Sequence, residues 1–185
     1  MDLGFRMHAE RTPNPNSVKW VLGQTLAEGG SGAYFDRPVS DEVSPLAARL
    51  FAVDGVVGVF VAGNFVTVTK RGELEWADLA QGVVDAIKAF VASEDPTFGP
   101  DWEPPSEGPE GDVADRIRTI LETEVRPAVA QDGGDIIFAG YRDGIVEVYL
   151  QGSCSGCPSS TLTLKMGIEE RLRQEIPEIR EVVAL

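Results

Sequence analysis

Ile145-Val146-Glu147-Val148-Tyr149-Leu150-Gln151-Gly152-Ser153-Cys154-Ser155-Gly156-Cys157-Pro158-Ser159-Ser160 carries both cysteines of a 185-residue chain. Its first six residues are rich in β-branched and aromatic side chains and read as a strand. Pro158 suits the first turn of a helix, which puts Cys157 at or next to the N-cap. The thiols therefore sit on a strand-to-helix loop, where free amides and the helix dipole favour an anion and should lower the thiol pKa. Gly152 and Gly156 let backbone come close to a bound group and leave amides free to donate to sulfur.

Working outward, Ile136-Ile137-Phe138-Ala139-Gly140-Tyr141 reads as a preceding strand, joined across Arg142-Asp143-Gly144, where Asp-Gly is a strong hairpin dipeptide. Asp132-Gly133-Gly134-Asp135 reads as a tight turn with capping aspartates in preference to a functional loop beside the group the cysteines bind. Before it, Val113, Ile117, Ile120, Leu121 and Val125 repeat at helical spacing until Pro127 disturbs or ends the pattern. After the cysteines, Leu164, Ile168, Leu172 and Ile176 fall four apart on a helix that Pro177 ends, and Ile179 to Leu185 forms a last short strand. Residues 112–185 thus read as an α-β-β-α-β layer sandwich, and the fold class is α+β with two small domains.

The other domain occupies residues 1–93, a β-sheet packed with helices. Two extended pieces flank Thr12-Pro13-Asn14-Pro15-Asn16-Ser17, a turn by composition. Ser44-Pro45 starts a helix with Leu46, Ala47, Leu50 and Phe51 on its apolar face. Val56 to Val61 and Phe65 to Thr69 form a hairpin, and Trp76, Leu79, Ala80, Val83, Ile87 and Phe90 mark an amphipathic helix covering it. Trp20 and Trp76 read as core. Residues 94–111 carry six acids, no lysine or arginine, and five prolines; that composition reads as a semi-stiff linker, with Phe98 and Trp102 exposed on it in the preferred reading and docking it locally in the second.

Charge excludes some functions. The formal net charge is −14, with no basic patch to neutralise phosphates, so neither nucleic acid nor an anionic membrane is expected as a partner. No stretch approaches the ~20 apolar residues of a membrane span. Met1 to His8 has neither a signal-peptide core nor transit-peptide character, so a reducing compartment is expected: the cytoplasm of a bacterium, or the mitochondrial matrix if the source is eukaryotic and a transit peptide has been removed. In such a compartment a close cysteine pair points to metal or redox chemistry rather than a structural disulfide.

A structural zinc or an iron–sulfur cluster usually takes about four protein ligands. This chain has two cysteines and one histidine, His8, which falls in the other domain and reads as a plain surface or strand residue. A site of that kind needs a second chain, most simply a second copy facing the first across a two-fold axis. Iron–sulfur binding, zinc stapling of a dimer, dithiol–disulfide exchange and a pair of idle thiols all remain open on these residues. Redox exchange is set back because that motif normally accompanies a βαβ unit.

Pro127-Ala128-Val129-Ala130-Gln131-Asp132-Gly133-Gly134-Asp135-Ile136, followed by Gly152-Ser153-Cys154-Ser155-Gly156-Cys157-Pro158-Ser159-Ser160, resembles the C-terminal domain of NifU, the Nfu domain. Thr12-Pro13-Asn14-Pro15-Asn16-Ser17 and the hairpin within Phe51 to Lys70 resemble the N-terminal domain that accompanies it in Nfu proteins. The resemblance implies an iron–sulfur cluster carrier or late scaffold, not an enzyme. It implies Cys154 and Cys157 as ligands, and a [4Fe-4S] cluster (with [2Fe-2S] the alternative) bridging a homodimer. Upstream scaffolds and apo iron–sulfur clients are the implied partners.

Overall fold

The computed structural model describes residues 5–28, 32–105, 108–156 and 158–185, with residues 158–160 described by their backbone. The chain divides into two compact units, Met1–Pro105 and Ser106–Leu185.

In the first unit, β1 (Met7–Arg11), β2 (Ser17–Leu22), β3 (Ala33–Phe35), β4 (Val56–Ala62) and β5 (Phe65–Lys70) form an antiparallel sheet in the order β1-β2-β5-β4-β3. Alternation along the strands sends Trp20, Leu22, Val59, Val61, Val66 and Val68 into one core with the apolar faces of α1 (Pro45–Phe51) and α2 (Trp76–Ser93). Ser44 caps α1 as its spacing predicts, accepting from the Ala47 amide at 3.2 Å. The Thr12 to Ser17 turn is structural. Thr12 Oγ1 donates to the Asn14 and Ser17 carbonyls, Lys70 Nζ donates to Asn16 Oδ1 at 3.0 Å, and Trp76 Nε1 donates to the Pro15 carbonyl at 3.1 Å.

The reading of Phe98 and Trp102 as exposed on a free linker is overturned. Their rings stack at 4.1 Å between centroids and pack against the core of the first unit. Ser44 Oγ donates to the Thr97 carbonyl at 2.7 Å, the Gly99 amide to Val43 at 2.9 Å and the Asp101 amide to Glu42 at 2.8 Å. Gly99 is what lets this strap lie so close, since a Cβ there would overlap the Glu42 carbonyl. Proline-rich composition excludes helix, but it leaves backbone groups that a neighbouring surface can satisfy and aromatics that gain by burial.

The second unit opens with α3 (Asp112–Ile120), a π turn (Leu121–Val125) and α4 (Arg126–Gln131), which form one continuous helical run. Pro127 disturbs the helix without ending it. The wider turn ahead of it accommodates the missing N–H and the bulk of its ring. Next, β6 (Gly134–Arg142) and β7 (Ile145–Gly152) form a hairpin, and α5 (Pro158–Glu175) returns to β8 (Glu181–Ala184), parallel to β7. Asp143 and Gly144 both take positive φ, 53° and 82°, as a two-residue hairpin turn matched to strand twist requires. Ile117, Leu121, Ile136, Val146, Leu172 and Ile176 are buried in the core between the helices and the sheet.

Two points of the second unit differ from the sequence reading. The strand β6 begins at Gly134, inside the stretch read as a turn. In addition, β7-α5-β8 is a parallel βαβ unit, so a missing βαβ unit is no ground against redox chemistry here.

If the 97–102 strap is part of the first unit, Trp102→Ser should lower that unit's stability by about 1–2 kcal/mol in urea denaturation. A change below about 0.5 kcal/mol, typical of surface substitutions, would return the segment to linker status.

Candidate metal-binding loop

The loop between β7 and α5 is shaped by the segment just before β6. Gly152 ends β7 with φ 65°, a conformation that favours glycine. The chain then turns so that the Ser153 amide donates to the Gly133 carbonyl at 3.2 Å and Ser153 Oγ donates to the Asp132 carbonyl at 2.5 Å. Ser153 is buried, at 3% exposure, so these two bonds satisfy a polar group that would otherwise be costly there. On the other side, the Ser155 amide and hydroxyl both donate to the Gly152 carbonyl, and Thr161 Oγ1 on α5 donates to the Cys154 carbonyl at 3.2 Å. Cys154 is thereby clamped between the 132–134 segment and the first turns of α5.

Gly134 was read as a turn residue, and the structure gives it a different role. It lies in β6 opposite Gly152, and a Cβ on it would overlap Cys154 Sγ while standing 3.0 Å from the Gln151 carbonyl. The sulfur rests on bare backbone. Gly133 next to it does take the positive φ, 79°, that a turn demands.

Asp135, expected as a turn or cap residue, instead forms an ion pair with the preceding helix. It is buried, at 5% exposure, and receives Arg126 through two bonds, Nε to Oδ1 and an Nη to Oδ2, each 2.8 Å. Its Oδ1 also accepts from the Ile136 amide at 2.8 Å. This bidentate pair ties the start of α4 to the start of β6, and so fixes the strand end on which the sulfur rests. Sequence reasoning missed it because Arg126 and Asp135 lie nine apart, beyond helical spacing, and meet only once the chain has turned.

Cys154 is a half-buried free thiol whose pKa is pushed up to about 11. Burial is the main cause, because a thiolate there loses water; a hydrogen bond with Ser153 acts the other way, and the negative charges of Asp132 and Asp135 add to the rise. The sequence predicts a lowered thiol pKa at this helix start; at Cys154, which sits ahead of the helix, burial raises it instead. Cys157, the residue placed nearest the N-cap by sequence, lies outside the described residues. Among the described residues, no three His, Cys, Asp or Glu side chains gather as a metal site. His8 is an exposed β1 residue paired with Glu10 at 2.9 Å.

The arrangement suits a soft metal or cluster held by few ligands. A sulfur is offered at a fixed position, and the surrounding loop is rich in backbone amides. Gly156 is exposed, and an added Cβ there would meet nothing within 4 Å, so the outer side of the loop is open.

Both units of the chain match known families. A family model described as scaffold protein Nfu/NifU N terminal matches residues 7–94, and one described as NifU-like domain matches residues 117–183. The human NFU1 iron-sulfur cluster scaffold homolog, mitochondrial, is 41% identical over 179 residues, covering 95% of this chain and 70% of the human protein. The protein of that name from Drosophila erecta is 38% identical over 180 residues, covering 95% of this chain and 63% of its own length. A solved NifU-like protein from Saccharomyces cerevisiae covers 53% of this chain and 89% of its own, at 19% identity and a TM-score of 0.45. The chain belongs to the Nfu family.

Gly134→Ala should displace Cys154 or the strand end, costing about 1–3 kcal/mol and impairing metal uptake. Asp135→Ala removes the bidentate partner of Arg126 and should cost about 1–3 kcal/mol in unfolding of the second unit. Unfolding curves and iron uptake unchanged in Gly134→Ala would show that the sulfur is not held by this contact.

Proposed function

We propose that the chain is an iron–sulfur cluster scaffold and carrier in which the Cys154–Cys157 loops of two copies hold one cluster, [4Fe-4S] in preference to [2Fe-2S], as cargo for apo-protein clients. The observation that carries this reading is the loop itself: a strand-to-helix CxxC supplying two thiols where about four ligands are wanted, in a chain of the Nfu family. Two such loops related by a two-fold axis complete the set. The reading is supported by the relatives named as iron–sulfur cluster scaffolds. In this account residues 1–93 form the Nfu N-terminal domain and residues 112–185 the cluster-bearing domain. The stretch between is a connection only beyond the docked strap. Upstream scaffolds load the site, in the bacterial cytoplasm or in the mitochondrial compartment named for the animal relatives.

Delivery needs no protein acid or base. A client thiol gives up its proton and attacks a cluster iron as thiolate, an iron–sulfur bond to Cys154 or Cys157 breaks, and the departing thiolate takes up a proton. Repeating the exchange passes the cargo over, without oxidation or reduction. A Cys154 that holds its proton this tightly has to lose it on loading and regains it readily on release.

Anaerobic reconstitution with ferrous iron and sulfide, followed by mixing with an apo [4Fe-4S] enzyme, tests this. About four irons with matching acid-labile sulfide per two chains, and activation of the acceptor, are expected. Cys154→Ser and Cys157→Ser should each lose the cluster while both units stay folded. Folded protein that takes up zinc but no sulfide would make the loop a zinc-stapled interaction module. Disulfide reductase turnover without iron uptake would make it an oxidoreductase.

A further inference from the structure

The helix that begins at the cysteine loop carries an apolar stripe that its own unit leaves uncovered. On α5, Ile168 and Leu172 are buried in the core, whereas Leu162 and Met166 are 59% and 63% exposed. They stand one turn apart, about 6 Å and 12 Å along the helix from Pro158 at ~1.5 Å per residue. Neighbours four apart share a face, so they form one patch. Gly167 beside it is exposed, and an added Cβ there would meet nothing within 4 Å. The Thr161-to-Cys154 bond fixes the patch to the loop.

Charge indicates what covers it. The chain has net charge −14, yet from Val148 to Ile168 its sole charged residue is Lys165, and Lys165 is paired with Glu181 at 3.0 Å. Two copies of an acidic chain repel wherever their charged surfaces meet. A stretch without unpaired charge, with exposed apolar side chains at its centre, is where they can approach; depletion of charge at the centre is how such contacts are built. An acidic or a basic partner would both find little here to pair with.

We propose that Leu162 and Met166 are the protein–protein contact of the cluster-bridged homodimer, packing against the α5 of a second copy so that the two cysteine loops meet. This rests on the bridged-site reading above and adds to it a direct contact that holds the dimer beyond the ligand bonds. The contact is small, so the dimer should depend on both cargo and stripe.

The test uses the 185-residue chain reconstituted anaerobically, with sedimentation velocity across a dilution series and iron and sulfide counts on each species. Wild type should sediment as a cluster-loaded dimer. Leu162→Gln/Met166→Gln keeps both cysteines and helix-forming residues. It should raise the dimer dissociation constant at least tenfold and lose cluster faster on dilution. Ile145→Gln, an exposed apolar residue paired in register with Arg142 and Glu181, should leave both unchanged. If wild type is a loaded dimer and the double variant matches it, the stripe proposal falls while the bridged site stands. Slower delivery to an apo acceptor from an unchanged dimer would assign the stripe to clients and also overturns it. Wild type that loads as a monomer removes both readings.

Discussion

The contact on which the site depends is the sulfur of Cys154 lying against the bare backbone of Gly134. No side chain fits between them, so the position of the thiol is set by where β6 begins. That in turn is set by the Arg126–Asp135 pair, which locks α4 to β6, and by Ser153 reaching back to Asp132 and Gly133. Helix, strand end and loop are tied to one another by these bonds around the Cys154 sulfur. Preorganisation of this kind suits a site that must capture a cargo from one partner and surrender it to another, because the protein has little to rearrange at either step.

The division of the chain follows from the same economy. The first unit buries its apolar surface in a five-stranded sheet with two helices and adds the Phe98–Trp102 strap to it. The second builds a three-stranded sheet whose last strand is reached through α5, and the loop opening that crossover is where the thiols sit. A strand-to-helix junction offers amides that need partners, and the cysteine loop uses it.

Much of this was legible in the sequence, and what was not has physical causes. Strands such as Ile145–Gly152 and helices such as Trp76–Ser93 announce themselves through period and composition, because their signals are local. Asp143-Gly144 announces its hairpin for the same reason. The role of Gly134 is invisible locally, since a glycine that admits a distant sulfur looks like one that makes a turn. Asp135 looked like a cap because its partner lies on the preceding helix. Pro127 looked like a possible stop, but a π turn absorbed it. The strap was hidden by its acids and prolines, which describe its solvent side while Phe98 and Trp102 face the core. The position before a helix predicts an acidified Cys154 thiol, but burial raises its pKa and two nearby aspartates add to the rise, neither of which is visible in local sequence.

In the proposed reading each chain supplies half of a metal-binding site, and the stretch from Val148 to Ile168, whose sole charged residue is Lys165, faces a second copy. The most direct measurement is native mass spectrometry of the full chain reconstituted anaerobically with iron and sulfide. The account predicts one iron–sulfur cluster on two chains, and no cluster-bearing species when Cys154 is replaced by serine. A single chain carrying a complete cluster, or a loaded dimer that survives loss of Cys154, would contradict it.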